Sequence, residues 1–174
     1  MLERVLIAGS GGQGIVLAGR LLAVAAVHKT EHVTFFPSYG AEVRGGTSNC
    51  QIILSSSEIS SPLAEQFDSM LIMNQDSLDY YGEAVKKSPF VLLNSSLCRR
   101  PAGAGKILEV PASGLAGKLG DIRVSNFIMI GAYLARKPVV VPEDFENAIR
   151  DSLARKGENI LDLNLRAFRI GLGT

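Results

Sequence analysis

The sequence predicts an α/β fold: a Rossmann-like, mainly parallel sheet with helices on both faces, built as a single domain over residues 1–174. Three observations carry that expectation. Short apolar runs alternate with helical patterns along the whole chain, which is the signature of strands linked by crossover helices. The segment Gly9-Ser10-Gly11-Gly12-Gln13-Gly14 lies between the first apolar run and the first helical pattern, the context in which a G-x-G-x-x-G match means something. A chain of 174 residues with 47% hydrophobic content also suits one domain with a sizeable core.

The elements follow in order. Val5-Leu6-Ile7-Ala8 makes Arg4–Ala8 a strand, and the glycine segment turns it into a helix over Gly14–Val27 whose only charge is Arg20. Val33–Phe36 is the second strand. Phe36 to Cys50 reads as a long loop with three glycines, Tyr39 and Arg44, and Asn49–Ser55 as the third strand. The serine-rich run Ser55–Pro62 reads as a surface turn. Strands at Met70–Met73, Phe90–Asn94 and Ile107–Val110 alternate with helices at Ser77–Val85 and Ser113–Leu119. Three helices close the chain: Arg123–Ala135, Glu143–Lys156 and Asn159–Ile170. The middle one is well punctuated, with Pro142 and two acids at its start, Arg155 and Lys156 at its end and Gly157 to stop it.

Glycines after the first strand permit a tight turn and a close backbone approach, and the helix start presents N–H groups suited to an anion. A turn that only packs the helix on the strand has the same sequence. A nicotinamide or flavin dinucleotide is disfavoured, because it wants an acid at the end of the second strand. Glu31 precedes that strand and Pro37-Ser38-Tyr39 follows it. The Phe36–Cys50 loop does lie at the carboxyl end of a strand, where open α/β sheets keep their ligands. An ordinary long loop is the other reading.

Two stretches, Gly11-Gly12-Gln13-Gly14 and Pro37-Ser38-Tyr39-Gly40-Ala41-Glu42-Val43-Arg44-Gly45-Gly46-Thr47, resemble the gamma subunit of 2-oxoacid:ferredoxin oxidoreductases. A third stretch, Leu119-Gly120-Asp121-Ile122-Arg123-Val124-Ser125-Asn126-Phe127-Ile128-Met129-Ile130-Gly131-Ala132, is similar to that family's L-G-(N)-x-R-x-x-N-hydrophobic-G-A helix, with Asp121 where Asn is common. The ending Asn164-Leu165-Arg166-Ala167-Phe168 agrees. Within the family, R-G-G-T looks more like the 2-oxoglutarate or branched-chain enzymes. Pyruvate-type chains tend to carry R-G-A-P, and indolepyruvate-type ones a differently introduced R-G-G-S.

The resemblance implies an enzyme that converts a 2-oxoacid, coenzyme A and oxidised ferredoxin into acyl-CoA, carbon dioxide and reduced ferredoxin, with 2-oxoglutarate the expected substrate. It implies thiamine diphosphate, Mg and iron–sulfur clusters in partner chains: alpha and beta subunits and a ferredoxin-like delta subunit. Coenzyme A is the co-substrate expected near this chain. Gly11, Gly12, Gln13, Gly14, Tyr39, Arg44, Gly45, Gly46 and Asn49 are the candidate contacts, with no catalytic residue and no metal ligand of its own. A free-standing phosphate-binding module and a purely structural subunit remain as alternatives.

The rest of the inventory is consistent with a subunit. Two cysteines, Cys50 and Cys98, cannot supply four thiolates for a cluster, and they read as free buried thiols. His28 and His32 lack metal-ligand spacing, and His28 is expected at a helix C-terminus. No G-x-S-x-G, Walker or H-E-x-x-H segment occurs, and Gly120-Asp121-Ile122 opens no G-D-G thiamine motif. A net charge of +1 gives no electrostatic case for nucleic acid or a membrane surface. No uncharged apolar stretch reaches membrane-span length. Met1-Leu2-Glu3-Arg4 lacks a signal peptide's order of parts, so a cytoplasmic location is expected. Ile15–Val27 and Val124–Ala135 are apolar nearly all round. Such helices must be covered all round, by a partner chain or by burial at the centre of the domain. With the mean hydropathy of +0.20, the first option makes this an obligate subunit.

Overall fold

The structure, a computed structural model, describes residues 1–39, 47–102 and 106–174. Six strands, β1 (Leu2–Ser10), β2 (His32–Tyr39), β3 (Thr47–Ser55), β4 (Ser69–Ile72), β5 (Val91–Asn94) and β6 (Ile107–Val110), form one sheet in the order β2-β3-β1-β4-β5-β6. Only β3 runs against the rest, antiparallel to both β1 and β2. The other neighbouring pairs are parallel. The mainly parallel, Rossmann-like expectation holds.

The expected long loop from Phe36 to Cys50 is corrected. Its two arms are strand: Pro37 pairs with Cys50, Ser38 with Asn49 and Tyr39 with Ser48. The two arms pair as an antiparallel hairpin, and residues 40–46 lie outside the described residues. Pro37 is tolerated because β2 is an edge strand and a lost ladder donor can face outward there.

Seven helices are described: α1 (Ile15–Ala26), α2 (Gln75–Tyr80), α3 (Gly82–Lys87), α4 (Ala112–Leu119), α5 (Ser125–Arg136), α6 (Pro142–Leu153) and α7 (Glu158–Leu172). The helix expected at Ser77–Val85 is broken at Tyr81 into α2 and α3. Asp121 caps a single 3-10 turn, Ile122–Val124, that leads into α5. Gly157 does not stop α6, which ends at Leu153; it precedes α7 in a positive-φ conformation instead.

The apolar runs of the strands are buried on both faces, so alternate residues feed two cores. Val5, Ile7, Leu71 and Leu92 join α1, α4, α5, α6 and α7 in the larger core, while Leu6, Ala8, Met70, Ile72 and Leu93 join α2 and α3 in the smaller. Cover is therefore unequal, five helices against two helices of six residues each.

α5 is the centre of the larger layer. Every residue from Ser125 to Leu134 is buried, because the helix packs against α1, α4, α7 and β5 of its own chain. This corrects the partner-chain reading of its sequence: an apolar helix can be enclosed by its own domain. α1 likewise buries Ile15, Ala18, Leu21, Leu22, Ala25 and Ala26, leaving Val24 and Val27 exposed at its far end. α5 and α7 touch backbone to backbone. A Cβ built on Gly131 meets Phe168 O at 2.2 Å and Leu172 N at 2.8 Å, and one on Gly171 meets Ile128 O at 2.1 Å.

At the amino ends of the strands a buried polar cluster ties α5 to the sheet. Glu3, 6% exposed, accepts from Lys137 Nζ at 2.6 and 2.8 Å, Ser69 Oγ at 2.5 Å and Tyr133 OH at 3.0 Å. Burial, and behind it the Glu3 carboxylate, push the Tyr133 phenol well above its usual range.

Candidate functional site

The glycine turn, the hairpin and the first turns of α1 and α4 all lie at the carboxyl ends of the parallel strands, the rim where such sheets bind ligands. Ser10 pairs with Thr47, next to the Tyr39–Ser48 pair, so the hairpin rises beside the turn. The first turn of α1 has no side-chain cap and no acidic residue, which keeps its positive end free of an internal counter-charge.

Gly11 and Gly12 form the exposed tip of the turn. Gln13 folds beneath them. Its Oε1 accepts from Ser10 N at 2.8 Å and its Nε2 donates to Met73 O at 3.4 Å, so the side chain bridges the carboxyl ends of β1 and β4. Gly14 caps α1 with φ +70°. A Cβ there would sit 2.4 Å from Asn126 Nδ2, the atom that donates to Gly14 O at 3.0 Å. The crowding at Gly14 thus comes from α5, not from the sheet as in a dinucleotide fold.

Tyr39 ends β2, and Asn49 sits half-buried in β3 between Ala8 and Ser38. Cys50, Ile52 and Leu54 belong to the α1 side, so alternation puts Asn49 on the opposite face, with Ala8. Arg44, Gly45 and Gly46 lie outside the described residues. The structure therefore brings Gly11, Gly12, Gln13 and Gly14 together with the hairpin arms, and places Asn49 on the α2 side of the sheet.

Three polar residues important to this rim carried little sequence signal. Asn94 is fully buried; its Nδ2 donates to Met73 O at 3.1 Å and Ser113 Oγ at 2.8 Å, and its Oδ1 accepts from Ser113 N at 3.2 Å. Ser96 Oγ accepts from Gly114 N at 3.0 Å, and Ser77 Oγ donates to Gly9 O at 3.3 Å. A polar Asn-Ser-Ser closing an apolar strand was the available clue, since a buried amide must find partners. Asn126 appears in the sequence only inside a motif; here it ties the start of α5 to the start of α1.

The thiols are quiet. Burial pushes Cys50 up to about 12, and its Sγ donates to Ile15 O at 3.6 Å. Cys98 is also pushed to about 12, by burial first and Asp79 second. The two belong to cores on opposite faces of the sheet and cannot ligate one cluster. Among the described residues no group of three or more His, Cys, Asp or Glu could hold a metal ion. The Arg123 guanidinium, gripping Asp121 at 2.6 to 3.0 Å, holds that carboxyl below the usual range. His28 lies in the turn that follows α1.

Gly14 and Gly12 make a paired prediction. Both have positive φ, but a Cβ at Gly12 meets nothing within 4 Å. Gly12→Ala should cost only the left-handed strain, about 1 kcal/mol. Gly14→Ala adds displacement of the Asn126 amide and should cost about 3 kcal/mol. Urea unfolding of the two variants measures both; equal losses would mean that the Asn126 contact contributes nothing.

Residues 4–174 match the family described as Pyruvate ferredoxin/flavodoxin oxidoreductase. The chain is 37% identical to the ketoisovalerate oxidoreductase subunit VorA of Methanothermobacter thermautotrophicus, over 97% of this chain but 35% of that one. It is 30% identical to the 2-oxoglutarate synthase subunit KorC of Methanocaldococcus jannaschii, over 98% and 92% of the two chains. The crystal structure of the keto/oxoacid ferredoxin oxidoreductase gamma subunit from Geobacter sulfurreducens superposes with a TM-score of 0.82 at 29% identity, covering 99% of this chain and 95% of that one. This chain thus spans about a third of the VorA-type relative and nearly all of the KorC-type and gamma-type ones.

Proposed function

This chain belongs to the pyruvate ferredoxin/flavodoxin oxidoreductase family, and from that premise we propose that it serves as the gamma-type subunit of a 2-oxoacid:ferredoxin oxidoreductase. The assembled enzyme joins the acyl group of a 2-oxoacid to coenzyme A, releases carbon dioxide and passes two electrons, one at a time, to ferredoxin. The match over residues 4–174 carries this reading. Thiamine diphosphate, Mg and the iron–sulfur clusters belong to alpha, beta and ferredoxin-like delta subunits, and the location is cytoplasmic. No helix among the described residues is long and apolar enough to cross a membrane.

The part proposed for this chain's own residues is to bind and orient coenzyme A at the carboxyl rim. Gly11 and Gly12, held by Gln13 and Gly14, offer backbone at close range, the strand arms carrying Tyr39 and Asn49 border the same rim, and Arg44, Gly45 and Gly46 are the further contacts proposed. Its pairing through Thr47 beside Ser10 supports that arrangement. The proposed 2-oxoacid is 2-oxoglutarate. A branched-chain 2-oxoacid is the second reading, favoured by the 37% identity to a ketoisovalerate oxidoreductase subunit. Assay of the purified complex with both acids separates the two.

Arg44 is the residue proposed to grip an anionic group of coenzyme A, because a guanidinium offers a two-pronged contact that lysine reproduces poorly. In the assembled complex, Arg44→Ala and Arg44→Lys should raise the KM for coenzyme A, a loss of about 1.5–3 kcal/mol for a charge-assisted contact, with assembly intact. Unchanged coenzyme kinetics together with a dissociating complex would make Arg44 an interface residue instead.

A further inference from the structure

The crevice between the carboxyl ends of β1 and β4 is the switch point of this sheet. From β1 the chain crosses to β2 on one side, while β4, β5 and β6 extend on the other. In open α/β sheets this crevice takes the ligand. Here a side chain occupies it. Gln13 Oε1 receives the Ser10 N–H and Gln13 Nε2 gives a hydrogen to Met73 O. The same Met73 carbonyl is held from the other side by Asn94 Nδ2 at 3.1 Å, and Asn94 is fixed in turn by Ser113. A row of amides runs from Ser10 to the start of α4.

The crevice therefore offers one donor, the Ser10 N–H, and one acceptor, the Met73 carbonyl. A carboxamide carries both functions in one plane and matches it. A phosphate group carries acceptors and would face the Met73 carbonyl with another acceptor. Removing Gln13 would leave the Ser10 N–H part-buried without its acceptor and the Met73 carbonyl with Asn94 alone, which is costly. The position of Gly9 beneath the amide adds to the fit, since a Cβ there would lie 2.4 Å from Gln13 Oε1 and 2.9 Å from Met73 Cβ.

We propose that Gln13 is a specificity-determining residue that closes the switch-point crevice to phosphate groups, and that Asn94 is a positioning residue acting on it through the Met73 carbonyl. An anion that approaches this domain is thereby confined to the outer rim, the Gly11-Gly12 tip and the hairpin. Closure of the crevice stands on its own geometry; the identity of the outer anion as coenzyme A rests on the function proposed above.

The test uses the full chain labelled with nitrogen-15. Inorganic pyrophosphate, titrated to millimolar concentration, should leave the Gln13 side-chain amide resonances of the unaltered protein in place. Gln13→Ala removes the acceptor of the Ser10 N–H and should speed hydrogen exchange at that amide about tenfold, the loss of one hydrogen bond. Asn94→Asp should speed exchange at the same amide, which Asn94 does not touch. Movement of the Gln13 side-chain amide on pyrophosphate addition to the unaltered protein would overturn the proposal, as would Ser10 exchange indifferent to Gln13→Ala. If Gln13→Ala does not fold, the pyrophosphate titration still decides. Arg44 variants with normal coenzyme kinetics would defeat the functional reading and leave these results untouched.

Discussion

Gly131→Ala is expected to cost the domain about 3 kcal/mol or more, from a single added methyl group. Overpacked side chains usually relax by changing rotamer and cost about 1–3 kcal/mol. Here the new carbon would lie 2.2 Å from the Phe168 carbonyl oxygen, 2.8 Å from Leu172 N and 2.9 Å from Gly171 Cα. All three are backbone atoms, so the helices α5 and α7 must separate as bodies. Separation would loosen Phe168 from Phe145, rings whose centroids are 4.8 Å apart in the larger core. A domain of this size commonly has 5–15 kcal/mol of stability, so Gly131→Val should fail to accumulate as folded protein. Gly117→Ala is the control. It lies in α4, and its Cβ would meet nothing within 4 Å, so alanine should stabilise by about 0.5–1 kcal/mol through reduced chain entropy. Urea midpoints moving in opposite directions for the two substitutions are the expected result. A Gly131→Ala loss under about 1 kcal/mol would mean that the α5–α7 approach is looser than described.

Lys137→Met should be the most damaging substitution among the charged residues. Lys137 Nζ donates to both oxygens of the Glu3 carboxylate and to Ser69 Oγ at 3.0 Å, and it lies 5.7 Å from the centroid of the Phe90 ring. Methionine keeps most of the volume but leaves a carboxylate of 8% side-chain exposure without its cation. Breaking a buried pair from one side costs about 3–5 kcal/mol; the 28% exposure of the Lys137 side chain puts this one near the lower figure. Thermal or urea unfolding of the variant measures the loss; one under about 1 kcal/mol would show that Glu3 finds water or another donor. Combining Lys137→Met with Glu3→Gln should recover part of the loss, because the two sites share one interaction.

The strands were legible because their apolar runs are short, continuous and bounded by turn residues. The glycine turn was legible because it sits between a strand and a helix. What the sequence could not convey is which of two coverings an apolar helix receives. Val124–Ala135 reads the same whether a partner chain or its own domain encloses it, and the answer depended on α7 reaching back to place Gly171 against Gly131. The hairpin arms were lost for a different reason. Pro37 interrupts the edge strand β2, where the pattern is weakly enforced, and the polar run at Ser48-Asn49 interrupts its neighbour β3. Gln13 looked like a residue offered to a ligand, because it sits in the turn. Its partners, Ser10 N and Met73 O, include one sixty residues away, and only the β1–β4 pairing brings that carbonyl within reach. Asn94 and Ser113 were silent for the same reason.

The strand order sets a timetable for synthesis. β1 is made first and sits inside the sheet, yet both of its neighbours come later: β3 from Thr47–Ser55 and β4 from Ser69–Ile72. At about 5–20 residues per second, the fully apolar Val5–Ala8 waits some seconds, about 3–12, for its second partner to emerge. The β2–β3 hairpin is local and can close in microseconds once its last residue is free. It becomes the first surface on which β1 can settle, through the antiparallel β1–β3 ladder. The one reversed strand thus gives the nascent chain an early place to hide its most aggregation-prone segment, before the parallel half of the sheet exists.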